Sequence, residues 1–228
     1  MRPHEVEFQA IIQYEFRDIS LLRQALTHSS YANECRNKAF KDNERLEFLG
    51  DAVLEIVTSE YLFRTYPDKP EGEMSRNRAS IVCEQTLDLC AKPLGLSDYL
   101  YLGKGEDATG GRKRPSILSD ALEAVIGAIY LDGGFSEAQT FVHRFILNDV
   151  EHKQLYSDCK TKIQEYAQAH KLGNPDYRLT GSEGPDHNKT FFVDLYLKDE
   201  KISSASGHSK KAAEQQAAYK ALTKLKDI

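Results

Sequence analysis

The sequence predicts an all-α domain followed by a small α+β domain with the order α-β-β-β-α. Up to about residue 150, apolar residues recur almost throughout at helical spacing. Beyond residue 158, one amphipathic helix precedes three segments rich in Tyr, Phe, Val and Thr, and an Ala-rich helix closes the chain. The junction between the two patterns is short and polar. We therefore expect a helical domain at residues 1–150 and a second domain at residues 156–228.

Local start and stop signals mark the helices of the first domain. Tyr66-Pro67 closes the long second helix, Pro93-Leu94-Gly95 closes the third, and Asp132-Gly133-Gly134 closes the fourth. The predicted helices cover residues 19–26, 43–64, 71–90, 116–131 and 135–150.

The second domain is delimited in the same way. A helix at residues 158–171 stops near Gly173-Asn174-Pro175. The final helix, at residues 209–226, contains good helix formers throughout. Between them the predicted strands cover residues 176–180, 190–197 and 201–206.

Composition indicates a cytoplasmic protein. The first residues interrupt every apolar run with charges, which excludes a signal peptide, and no stretch is apolar enough to span a membrane. The four cysteines show neither zinc-type spacing nor a disulfide pattern. The net charge is −5, but residues 158–228 hold 12 Lys and Arg against 10 Asp and Glu, and the remaining 157 residues hold 18 against 25. An acidic N-terminal part and a mildly basic C-terminal part suggest a metal-binding region joined to a polyanion-binding region.

Three carboxylates lie at helical positions i, i+3 and i+7 in the long helix. Glu44, Glu47 and Asp51 would stack along one face among apolar neighbours such as Leu46 and Phe48. Oxygen ligands without Cys or His suit a hard ion such as Mg²⁺ or Mn²⁺. The alternative is a solvated acidic face, which the apolar neighbours argue against.

A second acidic pair, Asp120 and Glu123, lies at i and i+3 among small and apolar residues. Alone, the pair would be read as acids complementing the positive end of a helix. Together with the first row, two crossing helices would supply most of a metal's ligands. Gly50, in the middle of the long helix, suggests that another backbone approaches closely there.

Two further residues have ordinary explanations from spacing alone. Glu71 stands at a predicted helix start, where an acid is commonplace. His28 lacks a partner acid or a nucleophile motif, so a packed or capping role is favoured.

In the second domain, Lys210 and Lys211 occupy the first turn of the last helix. Lysines are locally unfavourable there, which points to a phosphate ligand, although two solvated lysines remain the alternative. His187, in the turn between the first two strands, could reach a groove, whereas Gln164, on the first helix, is by itself an ordinary polar surface residue.

These motifs together resemble the bacterial ribonuclease III family. Residues 43–51, Asn-Glu-Arg-Leu-Glu-Phe-Leu-Gly-Asp, match its signature stretch in all nine positions. Residues 25–28, 71–75, 102–106 and 119–134 follow in that family's order. The tail is similar to its double-stranded-RNA-binding domain at residues 160–166 and 207–211. This similarity implies that Gln164, His187, Lys210 and Lys211 bind RNA.

The resemblance assigns roles by position. It implies that Glu47, Asp120 and Glu123 bind metal and that Asp51 orients water and metal beside them. It also places Glu44 and Glu71 in or around the catalytic valley, against the structural explanation that spacing gives for Glu71. Phe48 matches an aromatic that such enzymes insert into a partner subunit, which implies a homodimer.

The implied function is metal-dependent hydrolysis of double-stranded RNA to 5′-phosphate and 3′-hydroxyl ends, in the processing of ribosomal and messenger RNA precursors. Mg²⁺ is the expected ion and Mn²⁺ an expected substitute, with no organic cofactor and no membrane partner. The alternatives are a double-stranded-RNA-binding regulator that does not cleave and, more distantly, a metalloenzyme for small phosphates.

Overall fold

The fold is known from a computed structural model of the chain, which describes residues 3–35, 41–151, 153, 159–184, 189–207 and 209–226. The chain divides between Lys153 and Gln154 into two compact units. The first is helical and the second is an α-β-β-β-α unit, which confirms the predicted fold class. No described helix has both the length and the apolar character that a membrane span needs.

Two long helices form the centre of the first unit. Its described helices are α1 (Pro3–Ile12), α2 (Ile19–Ala25), α3 (Ser29–Glu34), α4 (Glu44–Thr65), α5 (Glu71–Ile81), α6 (Glu84–Ala91), α7 (Leu96–Tyr99), α8 (Lys104–Ala108), α9 (Pro115–Gly133) and α10 (Phe135–Phe145). Helix α9 is buried on most of its circumference and packs against α4, α6, α10 and α2. Pro115 occupies its first turn, where a missing N–H costs nothing, and Gly134 ends it at φ +85°.

The single helix predicted for residues 71–90 was wrong, because two helices meet at Val82 and Cys83. Cys83 is extended, with φ −75° and ψ 155°, and precedes α6 as its N-cap. The Thr86 hydroxyl donates to the Ser80 carbonyl at 2.7 Å, which satisfies an acceptor that the interrupted helix leaves open. Apolar periodicity runs through this bend, so the sequence pattern did not show it.

The helix predicted for residues 135–150 also ends earlier, at Phe145. There the buried Lys153 ammonium donates to the carbonyls of Ile146 and Asn148, each at 2.8 Å. A lysine that binds the free carbonyls at a helix end favours termination at that point.

The second unit is a three-stranded antiparallel sheet in the order β1-β2-β3, packed against two helices. Its elements are α11 (Cys159–Ala169), β1 (Asp176–Glu183), β2 (Thr190–Leu197), β3 (Glu200–Gly207) and α12 (Lys210–Lys226). Strand β1 is longer than predicted because it continues past an irregularity between Leu179 and Gly181. Val193, Leu195 and Leu197 of β2 pack on the alanine face of α12.

Candidate metal centre and nucleic-acid interface

The crossing of α4 and α9 brings three carboxylates together. Glu47 lies in the first turn of α4, and Asp120 and Glu123 lie one turn apart on α9. One oxygen from each lies within 4.8 Å of the other two, and all three side chains are half-buried. This arrangement has the geometry and the ligand chemistry to hold a divalent cation.

Two glycines make this close approach possible. A Cβ on Gly50 would lie 1.8 Å from the carbonyl oxygen of Glu123, and one on Gly127 would lie 2.3 Å from that of Leu46. The helices therefore touch backbone to backbone, as the mid-helix Gly50 predicted. This contact fixes Glu123 opposite Glu47.

The three carboxylates lie close to other acidic groups, and their pKa values are raised. Burial, followed by the charges of Asp51, Asp120 and Glu47, raises the pKa of Glu123 to about 8. Burial and then Asp120 raise the pKa of Glu47, and burial raises that of Asp120. A bound cation would compensate both the burial of the charged forms and the repulsion between them.

The other two acids of the α4 row lie at the edge of this cluster. Glu44 and Asp51 are exposed, so the prediction of a row embedded along its whole length was wrong. Asp51 still acts on Glu123, and Glu44 acts on Glu47, through their charges. Their positions suit contacts to water or substrate beside the three half-buried carboxylates.

Glu71 lies apart from the cluster within one copy of the chain. It begins α5, is exposed, and accepts a hydrogen bond from the Ser75 hydroxyl at 2.6 Å. With Ile56, Phe63 and Arg78 it lines a cavity of about 470 Å³ between α4 and α5. These α4 residues lie more than about two turns beyond Glu47.

The outer face of α4 exposes large apolar side chains. Phe48 is 81% exposed, Phe63 70% and Ile56 57%. Three such residues on one helix face are more than scattered surface hydrophobics and indicate an interaction surface.

His28 caps the short helix α3, which confirms the capping role favoured from sequence. Its Nδ1 accepts a hydrogen bond from the Ser30 N–H at 3.2 Å and lies 2.8 Å from the Ser30 hydroxyl.

In the second unit the candidate RNA-contacting residues lie on two helices. Lys210 and Lys211 are exposed in the first turn of α12. Gln164 is exposed on α11, and its amide donates to the Asn174 side chain at 3.4 Å. His187 lies outside the described residues. Near the lysines, Glu214 forms an ion pair of 2.6 Å with Lys160 of α11, joining the two helices.

Comparison with known proteins agrees with both units. A family model described as ribonuclease-III-like matches residues 18–150, and the double-stranded RNA binding motif matches residues 159–225. Ribonuclease 3 of Listeria welshimeri is 45% identical over 221 residues, covering 96% of each chain. Ribonuclease 3 of Bacillus velezensis is 46% identical, covering 96% of this chain and 89% of its own. The chain belongs to the ribonuclease III family. It is an endoribonuclease of this family that acts on double-stranded RNA.

Solved structures place the ribonuclease III likeness in the first unit. The nuclease domain of ribonuclease III from Campylobacter jejuni is 45% identical, with a TM-score of 0.58, and the match covers 64% of this chain and 95% of that one. A second structure of that domain, described as showing flexibility in a region involved in dimer formation, has a TM-score of 0.57 at 46% identity over 61% of this chain and 94% of that one.

Sequence reasoning missed two groups that act on Asp120. After burial, which raises the pKa of Asp120, and the hydrogen bond from Ser119, which lowers it, the next influences are Glu84 at the start of α6, which raises it, and His28, which lowers it. Neither residue shares a helix with the acids, so no spacing signal could have connected them.

Proposed function

We propose that this protein hydrolyses phosphodiester bonds in double-stranded RNA with divalent ions held by Glu47, Asp120 and Glu123. The observation that supports this proposal most strongly is the half-buried cluster of three carboxylates. One oxygen from each lies within 4.8 Å of the other two. The same chain carries a double-stranded RNA binding motif, and double-stranded RNA is a substrate that contains phosphodiester bonds for such a centre to cleave.

Mg²⁺ fits the centre best. The ligand atoms are all carboxylate oxygens, and three ligands leave room for the water that Mg²⁺ retains. Mn²⁺ accepts the same ligands and is the expected substitute. When bound, such an ion supplies an activated water and stabilises negative charge on the phosphate.

The protein residues position the reactants around this centre. Asp51 and Glu44 are exposed at its edge. Asp51 would orient the attacking water, and Glu44 would lie on the side of the centre that faces the RNA. Attack by water on phosphorus with the 3′-oxygen as leaving group gives 5′-phosphate and 3′-hydroxyl ends.

A homodimer would complete the site. The exposed Phe48 is adjacent in sequence to Glu47, and the cavity beside Glu71 offers the apolar side chains of Ile56, Phe63 and Met74 among its polar ones. If Phe48 of one protomer fills this cavity in its partner, each Glu71 comes close to the other protomer's acids. This arrangement explains why Glu71 lies apart from the cluster within a single copy. It also places two cleavage centres about one two-fold axis.

The second unit would bind the A-form duplex without reading its sequence. Lys210 and Lys211 lie at the N-terminus of α12, where phosphate is favoured by both side-chain charge and the helix dipole. Gln164 and His187 would contact 2′-hydroxyls in the minor groove. We expect the enzyme to process ribosomal and messenger RNA precursors in the cytoplasm.

A binding protein that does not cleave is the competing function. It would have no use for the cluster, since burial, and for Glu47 and Glu123 also the neighbouring carboxylates, raise the pKa values of these acids and disfavour their ionised forms unless a cation is bound. That observation favours the enzyme.

The test is incubation with a long, perfectly paired RNA duplex in Mg²⁺, in Ca²⁺ and in a chelator. Cleavage in Mg²⁺ alone, with products whose 5′ ends require phosphatase treatment before kinase labelling, would support the proposal. Binding in Ca²⁺ without cleavage in Mg²⁺ would support the non-cleaving alternative.

A further inference from the structure

One ion pair joins the two helices of the second unit that carry the candidate RNA-contacting residues. Lys160 lies in the first turn of α11, and its ammonium lies 2.6 Å from a carboxylate oxygen of Glu214 on α12. The two side chains are 38% and 30% exposed. A surface pair of this kind adds little to the free energy of unfolding. Its main consequence is the geometry that it imposes on the two helices.

Neighbouring contacts hold this ion pair in place. The Lys160 ammonium also lies over the ring of Tyr177 on β1, 4.8 Å from the ring centroid. Beside it, the thiol of the buried Cys159 donates to the Gln215 carbonyl at 3.3 Å. The start of α11, the second turn of α12 and strand β1 are thus joined at one point. A shift of α11 along α12 would break these contacts.

The ion pair is flanked on each helix by the proposed RNA-contacting side chains. Gln164 follows Lys160 by four residues on α11, so the two share one face of that helix. Lys210 and Lys211 precede Glu214 by four and three residues, which places them one turn away along the same side of α12. The ion pair therefore fixes the separation between Gln164 on one helix and the two lysines on the other.

This separation matters because the two groups would contact different parts of a duplex. A 2′-hydroxyl in the minor groove is present only in RNA, whereas phosphates are present in RNA and in DNA. The A-form major groove is narrow and that of B-DNA is about 12 Å wide, so the distance from a minor-groove hydroxyl to the phosphates across the next groove differs between the two forms. A helix separation that matches A-form RNA therefore fits B-form DNA poorly.

We propose that the ion pair between Lys160 and Glu214 determines the preference of the second unit for RNA over DNA. Glu214 is a positioning residue, which holds α11 at the distance from α12 at which Gln164 reaches 2′-hydroxyls while the lysines of α12 contact phosphates of the same duplex. Without the pair the lysines still bind phosphate on any duplex, but the contact to 2′-hydroxyls is weakened. This inference rests on the RNA binding proposed above for the second unit.

Two variants and a control of the full chain test this role. Glu214→Gln breaks the ion pair and removes one negative charge. Lys160→Glu combined with Glu214→Lys exchanges the two charges and keeps the net charge of the parent. Glu200→Gln is the matched control, since Glu200 is exposed on β3 and forms no ion pair with any residue that the structure describes.

The measurements are the affinities of each protein in Ca²⁺ for an RNA duplex and for a DNA duplex of the same sequence, together with its melting temperature. The ratio of the two affinities is compared because the first unit is the same in every variant. If Glu214 merely repelled phosphate, Glu214→Gln would bind both duplexes more tightly by the same factor.

We expect instead that Glu214→Gln binds RNA about 3- to 10-fold more weakly, the effect of a lost hydrogen bond, and binds DNA no more weakly than the parent. The exchanged pair should restore the ratio to within about twofold of the parent's, and the control should keep it. Melting temperatures should change little because the pair is exposed.

An unchanged ratio in Glu214→Gln would overturn the inference, as would equal losses for RNA and DNA or a low ratio in the exchanged pair. Failure of the proposed function is recognised in the parent. A parent that binds both duplexes equally would overturn the proposed RNA binding and this inference with it. If the parent prefers RNA and Glu214→Gln keeps that preference, only the role of the ion pair is wrong.

Discussion

Gly50 touches the main chain of Glu123 so closely that a Cβ on Gly50 would lie 1.8 Å from the Glu123 carbonyl oxygen. The reciprocal contact, between Gly127 and the Leu46 carbonyl, lies one turn along each helix. The proposed metal centre therefore depends on two glycines that provide no ligand. They determine how deeply the helices α4 and α9 interlock, and hence the distance between Glu47 and Glu123.

Gly50→Ala should separate these helices. The added methyl group meets backbone that cannot rotate away, so we expect a loss of at least about 2 kcal/mol in the free energy of unfolding. Denaturant unfolding measures this. Gly72→Ala is the matched control, because Gly72 also lies in a helix but has no atom within 4 Å of an added Cβ. The control should be neutral or stabilise the protein by up to about 1 kcal/mol. Equal effects of the two changes would contradict the close-contact account.

The metal-free protein should lose stability as pH rises through neutrality. The pKa of Glu123 rises from an ordinary 4.5 to about 8 on folding, so the folded state holds a proton that the unfolded state releases. The stabilisation is fully present below the unfolded pKa and is lost as pH approaches 8. Melting temperatures in a chelator from pH 5 to 8.5 should fall more steeply for the parent than for Glu123→Gln. Adding Mg²⁺ should stabilise the parent most at the alkaline end. Parallel curves for the two proteins would refute this.

Phe48→Ala should weaken self-association. Its ring is 81% exposed in a single copy, and burial in a partner's cavity would stabilise the dimer. Analytical ultracentrifugation should show a dimer for the parent and a raised dissociation constant for the variant. Leu131→Ala, at a residue 54% exposed on α9, is the control and should leave association unchanged. A monomeric parent at micromolar concentration would rule out the proposed shared site.

Replacing Lys210 and Lys211 together by Ala should reduce affinity about equally for two RNA duplexes of unrelated sequence, because phosphate contacts carry no sequence information. The slope of log affinity against log salt should fall by roughly two. Lys220 and Lys224, on the same helix, provide the control pair, since their ammonium groups donate to carbonyls of β3 at 3.3 and 3.1 Å. Sequence-dependent loss, or an equal loss in the control pair, would contradict phosphate binding by Lys210 and Lys211.

The sequence predicted the structure correctly where the spacing and the type of the residues point to the same element. Helical spacing placed Asp120 and Glu123 on one face, and the mid-helix Gly50 correctly indicated a close backbone approach. The strand at residues 190–197 was predicted at its observed bounds because the segment is rich in aromatic and β-branched residues. These features depend on local sequence alone.

What the sequence could not show depends on contacts between distant segments. The exposure of Glu44 and Asp51 follows from the register of α4 on α9, which one helix's pattern does not contain. The bend at Cys83 comes from side-chain bonds that compete with a continuous helix. The place of His28 at the start of α3 depends on its backbone bond to Tyr101 and on the bond between Thr27 and Asn43, which join segments distant in sequence.

The most direct test of the proposed metal centre is single-turnover cleavage of a long RNA duplex by Glu123→Gln in Mg²⁺, with duplex binding in Ca²⁺ measured on the same preparation. Gln keeps the size of the side chain and removes its charge, so the fold and the RNA-binding unit should be unaffected. The account predicts parental affinity for the duplex and a rate of cleavage reduced by at least about 100-fold. Near-parental cleavage by a variant that binds RNA normally would show that the cluster of Glu47, Asp120 and Glu123 is not the catalytic metal site.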